Sequence, residues 1–156
     1  MLNTSDVIAF VATTNPERAR AFYEGVLGLS LLADEPFALV FDANGVMLRV
    51  AKVQALDPAR HTVLGWRVSD IRATVEMLTN QGVVFERYDG LPQDPTGIWT
   101  SPSGAQVAWF EDPDGNVLLS RSSDGLPLSR LARRRPYRAR AALLARLERE
   151  MRMTRG

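Results

Sequence analysis

The stretch "FEDPDGNVLLS", Phe110 to Ser120, decides how this chain is read. Its Asp-Pro-Asp-Gly-Asn centre has apolar residues on both sides, so two strands meet there through a tight turn. The acidic centre lacks the spaced oxygen ligands and closing Glu of a calcium loop, which leaves a turn as its role. Seventy residues earlier, "DANG" makes a similar turn ahead of "VMLRVA", and superposing the two turns pairs Gly45 with Gly115 and Arg49 with Leu119.

Working outward from each turn, the same order of elements emerges twice. In the first half, Val7 to Thr13 reads as a strand and "NPERARAFYEGVLG" as a helix. Asn15 is its N-cap, Pro16 its first helical position and Gly28 its terminator. Strands then fall around Leu29 to Leu32, Phe37 to Phe41 and Val46 to Ala51. In the second half, Thr62 to Val68 is a strand and "SDIRATVEMLTNQG" a helix capped by Ser69 or Asp70. Strands follow near Val83 to Glu86, Ala105 to Glu111 and Val117 to Ser120. Superposing the helix starts pairs Asn15 with Asp70 and therefore Ile8 with Val63. The fold class is α+β: two tandem βαβββ modules, at about residues 5–52 and 61–121, forming a curled mixed sheet with a cleft. Together they make one domain over residues 1–121, followed by a basic C-terminal extension over 122–156.

With 156 residues the chain has room for one substantial core and no second full domain. It holds no cysteine, which excludes disulfides, thiolate metal sites and a cysteine nucleophile. No apolar run reaches membrane-span length and "MLNTSDVIAF" lacks the pattern of a signal peptide, so a cytoplasmic protein is expected. There is no phosphate loop, dinucleotide fingerprint or nucleophile elbow. A net charge of +1 conceals a split: residues 1–120 carry 8 bases and 15 acids, residues 121–156 carry 11 bases and 3 acids.

The repeated unit, the "RARAFYEGVLGL" helix and "FEDPDGNVLLS" together resemble the vicinal oxygen chelate superfamily, which includes glyoxalase I, extradiol dioxygenases, fosfomycin-resistance enzymes and bleomycin-resistance binding proteins. The resemblance covers about residues 5 to 121. It implies a cleft between curled strands and, in the family's enzymes, a divalent metal held by first-strand His or Gln and last-strand Glu. Carried over by position, those ligands fall on Ile8, Val63, Arg49 and Leu119. Three hydrocarbons and a cation cannot ligate a divalent metal, so no metal and no cofactor are expected. His61, two residues before Val63, is a weak metal candidate, displaced along its strand by about 6 to 7 Å.

Strand alternation then describes the cleft. Ile8 and Phe10, Met47 and Arg49, Val63, Gly65 and Arg67, and Leu119 share its surface. Trp99 on a loop and Trp109 on a strand can also line it, and Gly65 leaves a gap for a flat ligand. Most of these are equally at home as core residues, and the two arginines can be solvated or paired with Glu86 or Glu111. As a set they point to an aromatic or amphipathic small molecule. The leading expectation is a metal-independent binding protein, similar to bleomycin-resistance and other drug- or toxin-sequestering proteins, working as a homodimer. Alternatives are a glyoxalase-, lyase- or dioxygenase-like enzyme and an interaction protein acting through the tail. In that tail Ala141, Leu144, Leu147 and Met151 recur at helical spacing among arginines. It suits docking on an acidic surface better than nucleic acid.

Overall fold

A computed structural model describes residues 2–122; the expected C-terminal helix lies outside the described residues. The first module runs β1 (Ile8–Thr13), α1 (Pro16–Arg20), β2 (Ser30–Asp34), β3 (Ala38–Ala43) and β4 (Val46–Lys52). The second runs β5 (Leu64–Val68), α2 (Ile71–Asn80), β6 (Trp99–Thr100), β7 (Gln106–Glu111) and β8 (Val117–Ser122). Each forms a four-stranded mixed sheet, ordered β1-β4-β3-β2 and β5-β8-β7-β6, with the first and last strands of the module parallel. The fold is therefore α+β with tandem βαβββ units.

The helix starts are those the sequence sets. The Asn15 side chain accepts a hydrogen bond from the Arg18 amide, and in α2 Asp70 does the same for Ala73, which selects Asp70 over Ser69 as the cap. Beyond Arg20 the first helix widens into a π turn over Ala21–Val26, where the Leu27 amide donates to the Phe22 carbonyl, five residues back. Two consecutive aromatics, Phe22 and Tyr23, are thereby buried together. Gly28, at φ +70°, lets the chain reverse so that the Leu29 amide reaches the Tyr23 carbonyl.

The second module departs from expectation between its helix and β7. No strand forms over Val83 to Glu86; a single bridge pairs Phe85 with Phe110, and the Glu86 amide donates to the Trp109 carbonyl. The edge position beside the start of β7 goes instead to β6, pairing Trp99 with Val107. The reason lies in the intervening loop. Gln93 ties its two ends, donating to the carbonyls of Glu86 (2.8 Å) and Gly97 (2.9 Å) while accepting from the Tyr88 amide (2.8 Å). The Asp94 carboxylate accepts from Thr96 and from the Ile98 amide, closing the turn into β6. Trp99 is thus a sheet residue and not part of a free loop.

One core spans both modules. Val11, Tyr23, Leu39, Phe41, Leu48 and Val50 of the first pack with Leu78, Val83, Phe110 and Leu118 of the second. Polar clasps from the 112–116 turn reinforce it. The fully buried Tyr23 hydroxyl donates to Asp112 (2.7 Å), and Thr13 and Thr14 donate to Asp114 through both hydroxyls and the Thr14 amide (2.5–2.8 Å). Asn116 donates to the Ala12 carbonyl at the end of β1 (2.8 Å). Burial, with Asp112 beside it, holds the Tyr23 phenol far above its ordinary pKa, so it donates at every physiological pH.

Removing that donor should be costly: Tyr23→Phe is expected to destabilise the chain by about 1–3 kcal/mol in urea unfolding. Burial would raise the Asp114 carboxyl, but the hydrogen bonds from Thr13 and Thr14 outweigh it and bring its pKa below the ordinary value. A lowered carboxyl pKa stabilises above the unfolded value, about 3.9, and that contribution is lost as pH falls through the lower folded value. Asp114→Asn should therefore flatten the acid limb of the stability curve below about pH 4.

Candidate ligand-binding face

Each sheet turns one face to the core; on the opposite face several positions of β1, β4, β5 and β8 stay exposed or half-exposed, whereas Val40, Val107 and Val117 on that same face are buried. In β1 the buried residues are Val11 and Thr13, while Ile8 and Phe10 remain 47% and 60% exposed. In β4, Leu48 and Val50 are buried and Met47 and Arg49 lie on the open side. The ladder sets Ile8 beside Met47 and Phe10 beside Arg49. In the second sheet Gly65 neighbours Leu119 and Leu119 neighbours Trp109, with Val63 (37% exposed) and Arg67 one step away along β5. The alternation thus groups Ile8, Phe10, Met47 and Arg49 on one sheet face, and Val63, Gly65, Arg67, Trp109 and Leu119 on the other. Phe10 with Arg49 and Gly65 with Leu119 are equivalent neighbours in the two repeats.

Two details differ from the sequence reading. Arg49 is bound neither to Glu86 nor to Glu111; its guanidinium meets Glu35 at 2.5 Å, because the turn between β2 and β3 delivers that carboxylate across the sheet. The gap over Gly65 is filled. A Cβ on Gly65 would stand 2.7 Å from Leu119 Cδ1 and 2.9 Å from its Cγ, so the leucine lies flat on the glycine backbone. The hollows bounded by described residues include two that none of these side chains line. One of about 360 Å³ lies between Phe22, Val83 and Pro113, and one of about 610 Å³ lies beside α2 at Val75, Val84 and Phe85.

What spacing could not reveal is an aromatic group on the second face. Trp109 packs edge-on against Tyr88 (centroids 5.5 Å apart) and tilted against Trp99 (6.0 Å), and its indole N–H donates to the Thr62 hydroxyl at 3.2 Å. Tyr88 was reachable only through the Gln93 loop, which carries no periodic pattern. Glu86 borders the group: with Phe85 turned to the core against Phe110, its neighbour takes the open face beside Trp109. Burial, then Glu86 and Asp112, raises the Glu111 carboxyl pKa; burial, then Glu86 and Glu111, raises the Tyr88 phenol. The two glutamates and the tyrosine therefore share one electrostatic neighbourhood.

A divalent metal does not fit the positions the resemblance assigns to it. Ile8, Val63 and Leu119 offer no donor atom, and Arg49 offers a cation already paired. His61 is exposed, precedes β5, and belongs to no cluster of three or more potential ligands among the described residues.

Comparison with known proteins agrees with this architecture. The model of the Glyoxalase/Bleomycin resistance protein/Dioxygenase superfamily matches residues 5–119, and the chain belongs to that superfamily. Among solved structures it resembles a lactoylglutathione lyase from Agrobacterium tumefaciens at 18% identity, covering 79% of this chain and 97% of that one, with a TM-score of 0.60. A glyoxalase family protein from Enterococcus faecalis is similar at 19% identity, over 78% and 99% of the two chains, with a TM-score of 0.61. A genomically encoded fosfomycin resistance protein from Listeria monocytogenes gives the same TM-score at 10% identity, over 77% and 93%. At such identities the likeness concerns the fold. No curated protein matches the sequence, and no described helix is long and apolar enough to cross a membrane.

The Gly65–Leu119 contact makes a direct prediction. Gly65→Ala should cost about 1–3 kcal/mol by overpacking, and Leu119→Ala in the same chain should recover part of that, a non-additivity readable in denaturant unfolding.

Proposed function

We propose that this chain is a small-molecule-binding protein of its superfamily that works without a metal, of the drug- or toxin-sequestering kind. The observation that carries this reading is the second sheet's open face. Where the resemblance puts a metal ligand it has Leu119 lying on Gly65, and beside that an aromatic group of Tyr88, Trp99 and Trp109. Adjacent indoles give a ligand a large, rigid, polarisable contact at little entropic cost. Arg49 is paired with Glu35 and so offers no unbalanced charge to an anionic ligand. Binding here is therefore by surface complementarity on the second sheet.

A homodimer is part of the proposal. Ile8 and Phe10, 47% and 60% exposed, leave the β1 side of the first sheet's outer face apolar, and a second copy is the occupant that the resemblance implies. Phe10→Glu should then halve the mass found by sedimentation; an unchanged dimer would remove the first sheet from the interface.

The test of the function has two arms. Purified, untagged protein exposed to Mn, Fe, Ni and Zn should retain less than about a tenth of an equivalent of any of them. Small aromatic molecules should quench Trp emission saturably, with the response lost in Trp109→Phe. Retention of about one equivalent of metal, abolished by His61→Ala, would overturn the reading in favour of an enzyme with a displaced metal site.

A further inference from the structure

If the second sheet's open face binds a small molecule, the distribution of charge on that face restricts what the molecule is. The β-ladder arranges it in three rows. At one end Val63 and Val117 lie alongside Glu111. In the middle Gly65, Leu119 and Trp109 succeed one another, with Glu86 beyond. At the far end Arg67 neighbours Arg121, Arg121 neighbours Val107, and Val107 neighbours Trp99. Glu111 thus occupies one end, with Glu86 flanking Trp109 in the next row, two adjacent arginines occupy the other end, and the Leu119 and Trp109 surface lies between. Glu111 and Val107 are four residues apart on β7, so the charged ends are separated by about 13 Å of strand.

Among the described residues the side chains of Arg67, Glu86 and Glu111 make no ion pair, whereas Arg20, Arg49, Lys52 and Arg72 all do. Arg18, which shares with the two glutamates the lining of the smaller hollow, donates to the Pro113 carbonyl. Two glutamates held close to one another and to Tyr88 favour an incoming cation, and the faces of Tyr88 and Trp109 add a cation–π attraction. Arg67 presents a planar, fork-shaped donor suited to a carboxylate or phosphate.

We infer that the ligand of this face is an elongated planar molecule charged oppositely at its two ends, its cation seated between Glu86, Glu111 and the Tyr88–Trp109 pair, its anion on Arg67, and its ring system on Leu119 and Trp109. A purely cationic or purely anionic ligand would use one end and meet repulsion at the other. This reconciles an acidic body with arginines on the binding face.

The inference rests on the binding reading above, and the experiment separates the two. Three biphenyls serve as probes for the full chain: one with a para amidinium on one ring and a para carboxylate on the other, one with the amidinium alone, and one with the carboxylate alone. Trp66, whose ring stacks against Phe110 on the core side, provides an internal reference when Trp99 and Trp109 are replaced by Phe. The doubly charged probe should bind about fivefold or more tightly than either singly charged one, with the advantage falling as salt rises. Glu111→Gln should weaken the two probes that carry the amidinium and spare the one with the carboxylate alone; Arg67→Gln should weaken the two that carry the carboxylate and spare the one with the amidinium alone. Equal affinities for all three, unaffected by these substitutions, would overturn the two-ended ligand while leaving an aromatic-binding face. No response to any probe, with Trp emission also shielded from acrylamide, would mean that another segment or a second copy covers the face, and would overturn the inference as well.

Discussion

Everything on the open faces depends on a carboxylate-rich turn being pinned to the other module. Residues 112–116 leave β7, reverse, and enter β8, and on the way Asp112 takes the Tyr23 hydroxyl while Asp114 takes three hydrogen bonds from Thr13 and Thr14. Asp112 also accepts from the amides of Asp114 and Asn116 and from the Asn116 side chain, so both its oxygens are engaged with little exposure to water. A buried carboxylate is tolerable only when saturated with donors in this way. Because the donors come from the β1–α1 corner, the second sheet's geometry is set by the first module. The stagger between β7 and β8 that places Trp109 beside Leu119 follows from the same turn.

Much of this was legible in the sequence, for identifiable reasons. Asn15 and Asp70 as caps, Gly28 as a terminator and the two glycine turns are local signals, each decided within a few residues. The paired offsets, Phe10 with Gly65 and Arg49 with Leu119, follow from the repeat, and strand alternation then assigns the open faces. What escaped was non-local. The Glu35 partner of Arg49 comes from the far side of β3, with β2 ahead of it. The displacement of the expected Val83–Glu86 strand by β6 depends on the Gln93 and Asp94 hydrogen bonds, which are loop contacts without periodicity. The aromatic group needed all three of its members located, and Tyr88 lies in that same loop.

The leucine on Gly65 illustrates how a residue pattern can be right while its physical meaning changes. A glycine on a strand marks a close approach, and the sequence alone leaves open whether the approaching group is a ligand or the protein itself. Here it is the protein: Leu119 covers the backbone at distances no Cβ would permit. That contact makes the middle of the face smooth and apolar, and it commits position 119 to packing. A glutamate there would have to sacrifice the apolar contact while placing a charge among Gly65 and Trp109. Leucine at this position is thus coupled to glycine at 65.

The two halves of the repeat have consequently diverged in chemistry while keeping one fold. On the first sheet the central cation, Arg49, is balanced by Glu35 within the same module, so its open side behaves as an apolar surface with a neutral centre. On the second sheet the equivalent position is a leucine, and charge is moved to the ends, where Glu111 and Arg67 lie too far apart to neutralise each other across about 13 Å of strand. An apolar neutral face is suited to meeting another protein surface, where an unpaired charge would be costly to bury. A face with an aromatic centre and separated charges is suited to a solvated molecule that brings its own counter-charges. Under the proposed function, relocating a few charges between two copies of one unit is what would give one half of the protein a surface for association and the other a surface for recognition.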